Sequence, residues 1–186
     1  RQMCIRDSWY TRVGNPTVTA FENRITKLEG GMASIACASG MAAIMNAILN
    51  IVRSGDEIVS SASLYGGSID LFRDIEEFGI KTRYVKNNDW EAIEGAINEH
   101  TRLLFAETIG NPCLDVTDVE RLAEIAHAHK IPLILDNTTA TAYLFQGLKH
   151  GADIVVNSSS KYINGSSNSI SGILTVSYTH LRAHET

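Results

Sequence analysis

Asp136 and Lys161 each stand at the polar end of a short apolar run. Leu133-Ile134-Leu135 leads into Asp136-Asn137-Thr138-Thr139, and Ile154-Val155-Val156 leads into Asn157-Ser158-Ser159-Ser160-Lys161. A lysine held among hydroxyls and apolar walls can have a lowered pKa and attack a carbonyl carbon. An aspartate at the end of an apolar strand is costly to bury unless it is paired, and a partner with a protonatable nitrogen resolves that cost. A third run, Leu103-Leu104-Phe105-Ala106, leads into Glu107-Thr108-Ile109-Gly110-Asn111-Pro112. The 25 residues from Asp136 to Lys161 amount to one αβ crossover. Both residues therefore belong at the carboxyl ends of nearby strands, where open α/β sheets bind ligands.

Lysine and aspartate together suggest a pyridoxal phosphate site. The lysine forms a Schiff base with the cofactor aldehyde, and the aspartate pairs the pyridinium nitrogen. The phosphate then needs a cup. Ala38-Ser39-Gly40-Met41 opens a helix, whose N-terminus presents free N–H groups and a positive dipole end. Gly40 lets the backbone come close to phosphate oxygens, and Ser158 and Ser160 supply hydroxyls from the lysine loop. Tyr65, in Leu64-Tyr65-Gly66-Gly67, follows a strand and is placed to stack on the ring. Taken singly, each residue has a commoner structural role: a cap for Asp136 and Ser39, a rim or core ring for Tyr65, a solvated loop for Lys161.

The elements that must position these groups alternate in period. Helical spacing covers 17–29, with Val18, Phe21, Ile25 and Leu28 on one face and Gly30-Gly31 as the stop. A helix capped by Ser39 runs to about Arg53. Further helices are expected over 68–78, 90–98 and 116–129, and a partial one over 142–150. Short strands are expected over 57–60, 81–85, 103–106, 132–135, 153–156 and 172–176. Such alternation predicts an α/β fold, a mostly parallel sheet with helices on both faces.

Bulk properties narrow the classes further. The 186 residues suffice for one domain with a core, and 44% are hydrophobic. A net charge of −5 with no basic cluster argues against nucleic acid as a partner. No apolar run reaches membrane-spanning length, and the N-terminus lacks the apolar core of a signal peptide. Cys4, Cys37 and Cys113 have neither metal-like spacing nor an even count, which fits a reducing cytosol and predicts a cytoplasmic protein without a metal. A non-catalytic phosphate-binding domain is disfavoured, because no G-x-G-x-x-G or Walker motif is present.

Six motifs, weak singly, occur here in one order: Tyr10-Thr11-Arg12…Asn15-Pro16-Thr17, Ser39-Gly40-Met41, Tyr65-Gly66-Gly67, Glu107-Thr108…Asn111-Pro112, Asp136-Asn137-Thr138 and Ser158-Ser159-Ser160-Lys161. In that order the sequence resembles the Cys/Met-metabolism family of pyridoxal-phosphate enzymes over about residues 9–176. The resemblance implies the large domain of a fold-type I transferase, with the C-terminal small domain missing. Lys161 is then the Schiff-base lysine and proton shuttle. Asp136 holds the ring nitrogen, and Tyr65 stacks and assists proton transfer. Asn111 bonds the phenolic oxygen, while Gly40, Met41, Ser158 and Ser160 bind phosphate. Tyr10 and Arg12 reach the phosphate of a neighbouring subunit, which implies a homodimer or homotetramer with shared sites.

Within the family, Glu107-Thr108-Ile109-Gly110-Asn111-Pro112 and 150–156 look most like the O-acetylhomoserine sulfhydrylases. Ser166-Ser167 departs from relatives that carry a histidine there. The activity so implied is γ-replacement on O-acetyl-L-homoserine by sulfide or a thiol, giving homocysteine or methionine plus acetate. The alternative is a cystathionine γ-synthase, γ-lyase or methionine γ-lyase reaction on the same site. The ends, 1–8 and 177–186, resemble translated sequencing-adapter read-through and are expected to be non-native. Because the family's substrate-carboxylate arginine lies in the C-terminal domain, the 186-residue chain is expected to be inactive alone.

Overall fold

A computed structural model of the chain describes residues 10–11 and 13–177. Arg12, Cys4 and the segments 1–8 and 178–186 lie outside the described residues. The elements follow the order α1 (Pro16–Glu29), β1 (Ala33–Cys37), α2 (Gly40–Ile51), β2 (Glu57–Ser61), α3 (Gly66–Glu76), β3 (Lys81–Val85), α4 (Trp90–Ala96), β4 (Thr101–Glu107), α5 (Val119–Ala128), β5 (Leu133–Asp136), α6 (Thr141–Leu144), a 3₁₀ turn (Gly147–His150), β6 (Ile154–Asn157) and β7 (Gly172–Val176).

One seven-stranded sheet runs in the order β1-β7-β6-β5-β4-β2-β3. The strands from β3 to β6 are parallel, and β7 pairs antiparallel with both β6 and β1. The sheet is thus mostly parallel and covered on both faces. Alternate residues of each strand supply the two faces. Leu103 and Phe105 of β4 join Ile44, Ile48, Phe72 and Ile75 of α2 and α3. Leu104 and Ala106 join Ile93, Val119, Leu122 and Ala126 of α4 and α5. Burial on both sides explains why β4, β5 and β6 read as unbroken apolar runs.

Local chemistry sets most boundaries. Asn15 caps α1 by accepting from the amides of Thr17 and Val18, and Gly30 ends it with φ 69°. Ser39 caps α2 through the Ala42 amide. The helix expected from Val116 begins instead at Val119, since Val116 bridges to Ile109 and Asp118 caps by accepting from the Arg121 amide. The expected partial helix over 142–150 breaks at Phe145, whose backbone is extended. Strand β1 was not anticipated; its Ala-Ser-Ile-Ala-Cys run is only partly buried and lies at the sheet edge. The face of α1 also differs from expectation. Leu28 is exposed, whereas Glu29 is fully buried.

Chain order reverses at β2, which has β3 on one side and the later β4 on the other. Crevices at such points, beyond the carboxyl ends of the strands, are where α/β sheets bind ligands. No helix among the described residues is long and apolar enough to cross a membrane.

Candidate active site

A cavity of about 460 Å³ opens at the carboxyl ends of β4, β5 and β6. Ser39, Gly40, Met41, Tyr65, Asn111, Asp136, Ser158, Ser160 and Lys161 all line it. These are nine of the eleven residues expected from sequence. Tyr10 is outside the cavity; it is 67% exposed, and its carbonyl accepts from the Val13 and Gly14 amides in a turn. Arg12 lies outside the described residues.

The aspartate is prepared for a cationic partner. Burial raises the Asp136 pKa above the usual carboxylate range, and two bonds from Thr138 oppose that rise. Both bonds, from the Thr138 amide at 2.9 Å and its hydroxyl at 2.5 Å, land on Oδ1. Among the described residues Oδ2 accepts none, and Asp136 lines the cavity. A protonated ring nitrogen is the kind of partner that would stabilise this carboxylate as an anion.

Thr138 also joins the aspartate to the lysine loop. Its hydroxyl oxygen accepts from the Ser158 amide at 2.7 Å while it donates to Asp136. The loop then turns through bonds from the Lys161 amide to the Ser158 carbonyl and from the Gly165 amide to the Lys161 carbonyl. Lys161 itself is exposed at the cavity mouth, more open than its apolar approach in sequence suggested.

At the opposite wall, the Gly40 and Met41 amides have no carbonyl partner among the described residues, because they belong to the first turn of α2. The two loop serines differ. The Ser160 hydroxyl donates to the Ser171 carbonyl at 3.1 Å and accepts from the Ser171 amide at 2.9 Å. Its donor is therefore engaged in pinning the loop's return to β7. The Ser158 hydroxyl makes no side-chain bond among the described residues and lines the cavity.

A Cβ at Gly40 would sit 2.6 Å from Ser158 Cβ and 2.9 Å from its Cα, so two backbones meet here. Gly40→Ala is expected to cost about 1–3 kcal/mol through overpacking and to weaken phosphate-ligand affinity. A thermal melt with a pyridoxal phosphate titration checks both; wild-type values for both would show that this contact does not shape the cup.

Glu107 and Thr138 belong to the sequence motifs but carried no expected role in the site. Glu107 lines the cavity, and its Oε1 accepts from the Tyr65 amide at 2.7 Å. Tyr65 is the N-cap of α3 and makes no side-chain cap bond. The glutamate thus ties the start of α3 to the end of β4, across the point where strand order reverses. Burial pushes Glu107 up to about 7; the Tyr65 amide opposes this, and Asp136 and Asp115 nearby add to it. The signal for Glu107 was its place directly after the apolar run of β4. For Thr138 it was the i+2 spacing from an aspartate, which favours a local side-chain turn. Among the described residues no cluster of three or more His, Cys, Asp or Glu is placed to hold a metal ion.

Comparison with known proteins bears on this geometry. The family described as Cys/Met metabolism PLP-dependent enzyme matches residues 5–186. The O-acetyl-L-homoserine sulfhydrylase of Leptospira meyeri is 47% identical over 166 residues, which are 89% of this chain and 38% of that protein. The L-methionine gamma-lyase of Fusobacterium nucleatum subsp. nucleatum is 41% identical over 167 residues, 89% of this chain and 42% of that protein. A solved structure described as O-acetylhomoserine (thiol)-lyase of Campylobacter jejuni, with N'-pyridoxyl-lysine-5'-monophosphate, is similar at a TM-score of 0.88. It is 38% identical, over 90% of this chain and 42% of that one. The chain spans about two fifths of the length of the curated relatives it matches.

Proposed function

The chain belongs to the Cys/Met metabolism family of PLP-dependent enzymes, and from that premise we propose that its protein replaces the γ-acetoxy group of O-acetyl-L-homoserine with sulfide or a thiol. The products are homocysteine or methionine, and acetate. The observation that carries this reading is the meeting of Lys161, Asp136 and the open first turn of α2 around one cavity.

The residues present fit pyridoxal phosphate. Asp136 lines the cavity with a half-buried carboxylate, one oxygen of which accepts no hydrogen bond among the described residues, and Gly40 leaves a cradle that a Cβ would fill. When bound, this cofactor supplies an electron-accepting ring that makes protons on the substrate's α- and β-carbons removable.

The chain's own groups do the rest. Lys161 Nζ would hold the cofactor's aldehyde carbon and, when free, would take the substrate's α-proton and return one to the product. Asp136, whose bonds from Thr138 favour its anion against burial, would pair with the ring nitrogen and keep it protonated. The Gly40 and Met41 amides and the Ser158 hydroxyl hold phosphate oxygens. Tyr65 covers the ring face, and Glu107 fixes its backbone. Asn111 bonds the phenolic oxygen. Ser160 shapes the loop by accepting from the Ser171 amide and donating to the Ser171 carbonyl. Tyr10 and Arg12 serve a second subunit's phosphate in a homodimer or larger assembly, in a soluble cytoplasmic enzyme.

The leading alternative keeps the site and changes the reaction to γ-elimination, as the similarity to a methionine gamma-lyase allows. Product analysis of the full-length protein separates the two. O-acetyl-L-homoserine plus sulfide is expected to give homocysteine and acetate faster than methionine or cystathionine is cleaved to a keto acid. The reverse ranking would replace the transferase reading with the lyase one.

A further inference from the structure

The last residue of α1 places a carboxyl group where an anion is poorly supported. Glu29 is 0% exposed, and so is Asn157, the last residue of β6. Glu29 Oε1 accepts one long bond, from Asn157 Nδ2 at 3.4 Å. Glu29 Oε2 and Asn157 Oδ1 are both buried with no hydrogen-bond partner among the described residues. While Glu29 is ionised, these two orphan atoms are both acceptors and cannot satisfy each other. A proton on Oε2 makes it a donor. Acid and amide can then close a ring of two hydrogen bonds, Oε2–H to Oδ1 and Nδ2–H to Oε1, and both orphans are satisfied.

We propose that Glu29 is a neutral carboxylic acid in the folded protein, and that its paired hydrogen bonds with Asn157 position the loop carrying Ser158 and Lys161. Asn157 is joined directly to Ser158, so its side-chain anchor sets where that loop departs from the sheet. Neighbouring groups are consistent with a neutral acid. Asn137 accepts from the Thr108 hydroxyl at 2.8 Å and donates one N–H to the Phe145 carbonyl at 2.7 Å, and its amide only partly offsets the burial of Glu29. Arg24, Tyr143 and Tyr162 share the adjoining groove with Glu29. Lys149 and His150 come from the 3₁₀ turn, and His150 bonds Glu120. Lys161 sits on the loop itself. None of these cations forms an ion pair with Glu29 among the described residues. Burial pushes the carboxyl up to about 7, opposed by the amides of Asn157 and Asn137.

Two variants test the proposal. Glu29→Gln keeps a donor and an acceptor toward Asn157 without titrating, whereas Glu29→Leu removes both bonds and strands the amide. In the full-length protein, the stabilising contribution of a raised carboxyl is complete below its unfolded value of 4.5 and is lost as pH rises through about 7. The wild type is therefore expected to lose thermal stability relative to Glu29→Gln across that window. The infrared difference between wild type and Glu29→Gln should show one protonated-carboxyl band below neutral pH, since Glu107 and Asp136 are common to both proteins and cancel. Pyridoxal phosphate affinity should be kept by Glu29→Gln at neutral pH and weakened about tenfold or more by Glu29→Leu. A stability difference that is flat with pH, absence of the infrared band, or a glutamine variant as impaired as the leucine one would each overturn the proposal. The thermal and infrared readouts need no cofactor, so they stand or fall independently of the proposed reaction.

Discussion

Lys161→Ala is expected to remove turnover by at least about 10³-fold and to abolish the visible absorbance of lysine-bound pyridoxal phosphate. Lys161 is the only lysine or arginine lining the cavity among the described residues. Among the described residues no other amine lines the cavity to substitute for it in the proposed roles of anchor and proton carrier. The fold should not suffer. The bonds that shape the loop at this position use its amide and carbonyl, to Ser158 and from Gly165, and alanine retains both. Exposed side chains away from packing usually change stability by about 0.5 kcal/mol or less. The thermal midpoint of the cofactor-free variant should therefore match wild type while absorbance and activity vanish. If the full-length variant keeps the absorbance, Lys161 is not the anchor and the proposed mechanism fails with it.

Asp136→Asn is the second large effect, and it isolates charge from shape. Both bonds from Thr138 land on one oxygen, which asparagine retains. The link from Asp136 through Thr138 to the Ser158 amide should survive. What is lost is the negative charge proposed to face the ring nitrogen. Removing one preorganised electrostatic partner of a developing charge costs about 10²–10³-fold in turnover, and a drop of that size is expected here. Burial already disfavours the ionised form of this carboxyl. The cofactor-free variant should thus be as stable as wild type or more so, which separates a catalytic loss from unfolding. Turnover within a few-fold of wild type would show that the aspartate caps the turn and does nothing more. Asp136→Ala, which also cuts the Thr138 hydroxyl bond, should additionally loosen the Ser158–Lys161 loop.

Much of this molecule is legible without coordinates, wherever the deciding physics is local. The α1 start follows from Asn15 and its end from Gly30, since caps depend on neighbours two to four positions away. β3 and β7 fall where the sequence places them, at Lys81–Val85 and Gly172–Val176. Asn111, Asp136, Ser158, Ser160 and Lys161 could be singled out because each follows an apolar run that the sheet buries. The edge strand β1 was not readable. Its short run of small residues has no distinctive period, and only pairing with β7 makes it a strand. The start of α5 was misplaced for a similar reason, as Val116 is drawn out of the helix by its bridge to Ile109.

Within the site the same division holds. Residue types and their order already determined a lysine, an aspartate and a helix N-terminus at the carboxyl edge of one sheet. They could not decide which of two similar serines keeps a free hydroxyl. Ser160 is engaged by Ser171 and Ser158 is not, a distinction made by where the chain returns to β7. Nor could they show that Glu107 holds the Tyr65 backbone, or that Glu29 faces Asn157 across 128 positions. Periodicity and capping act over one or two turns and are written in adjacent residues. Burial and hydrogen-bond pairing between distant side chains exist only once the sheet has brought its strands together, and they decide what each polar group is left free to do.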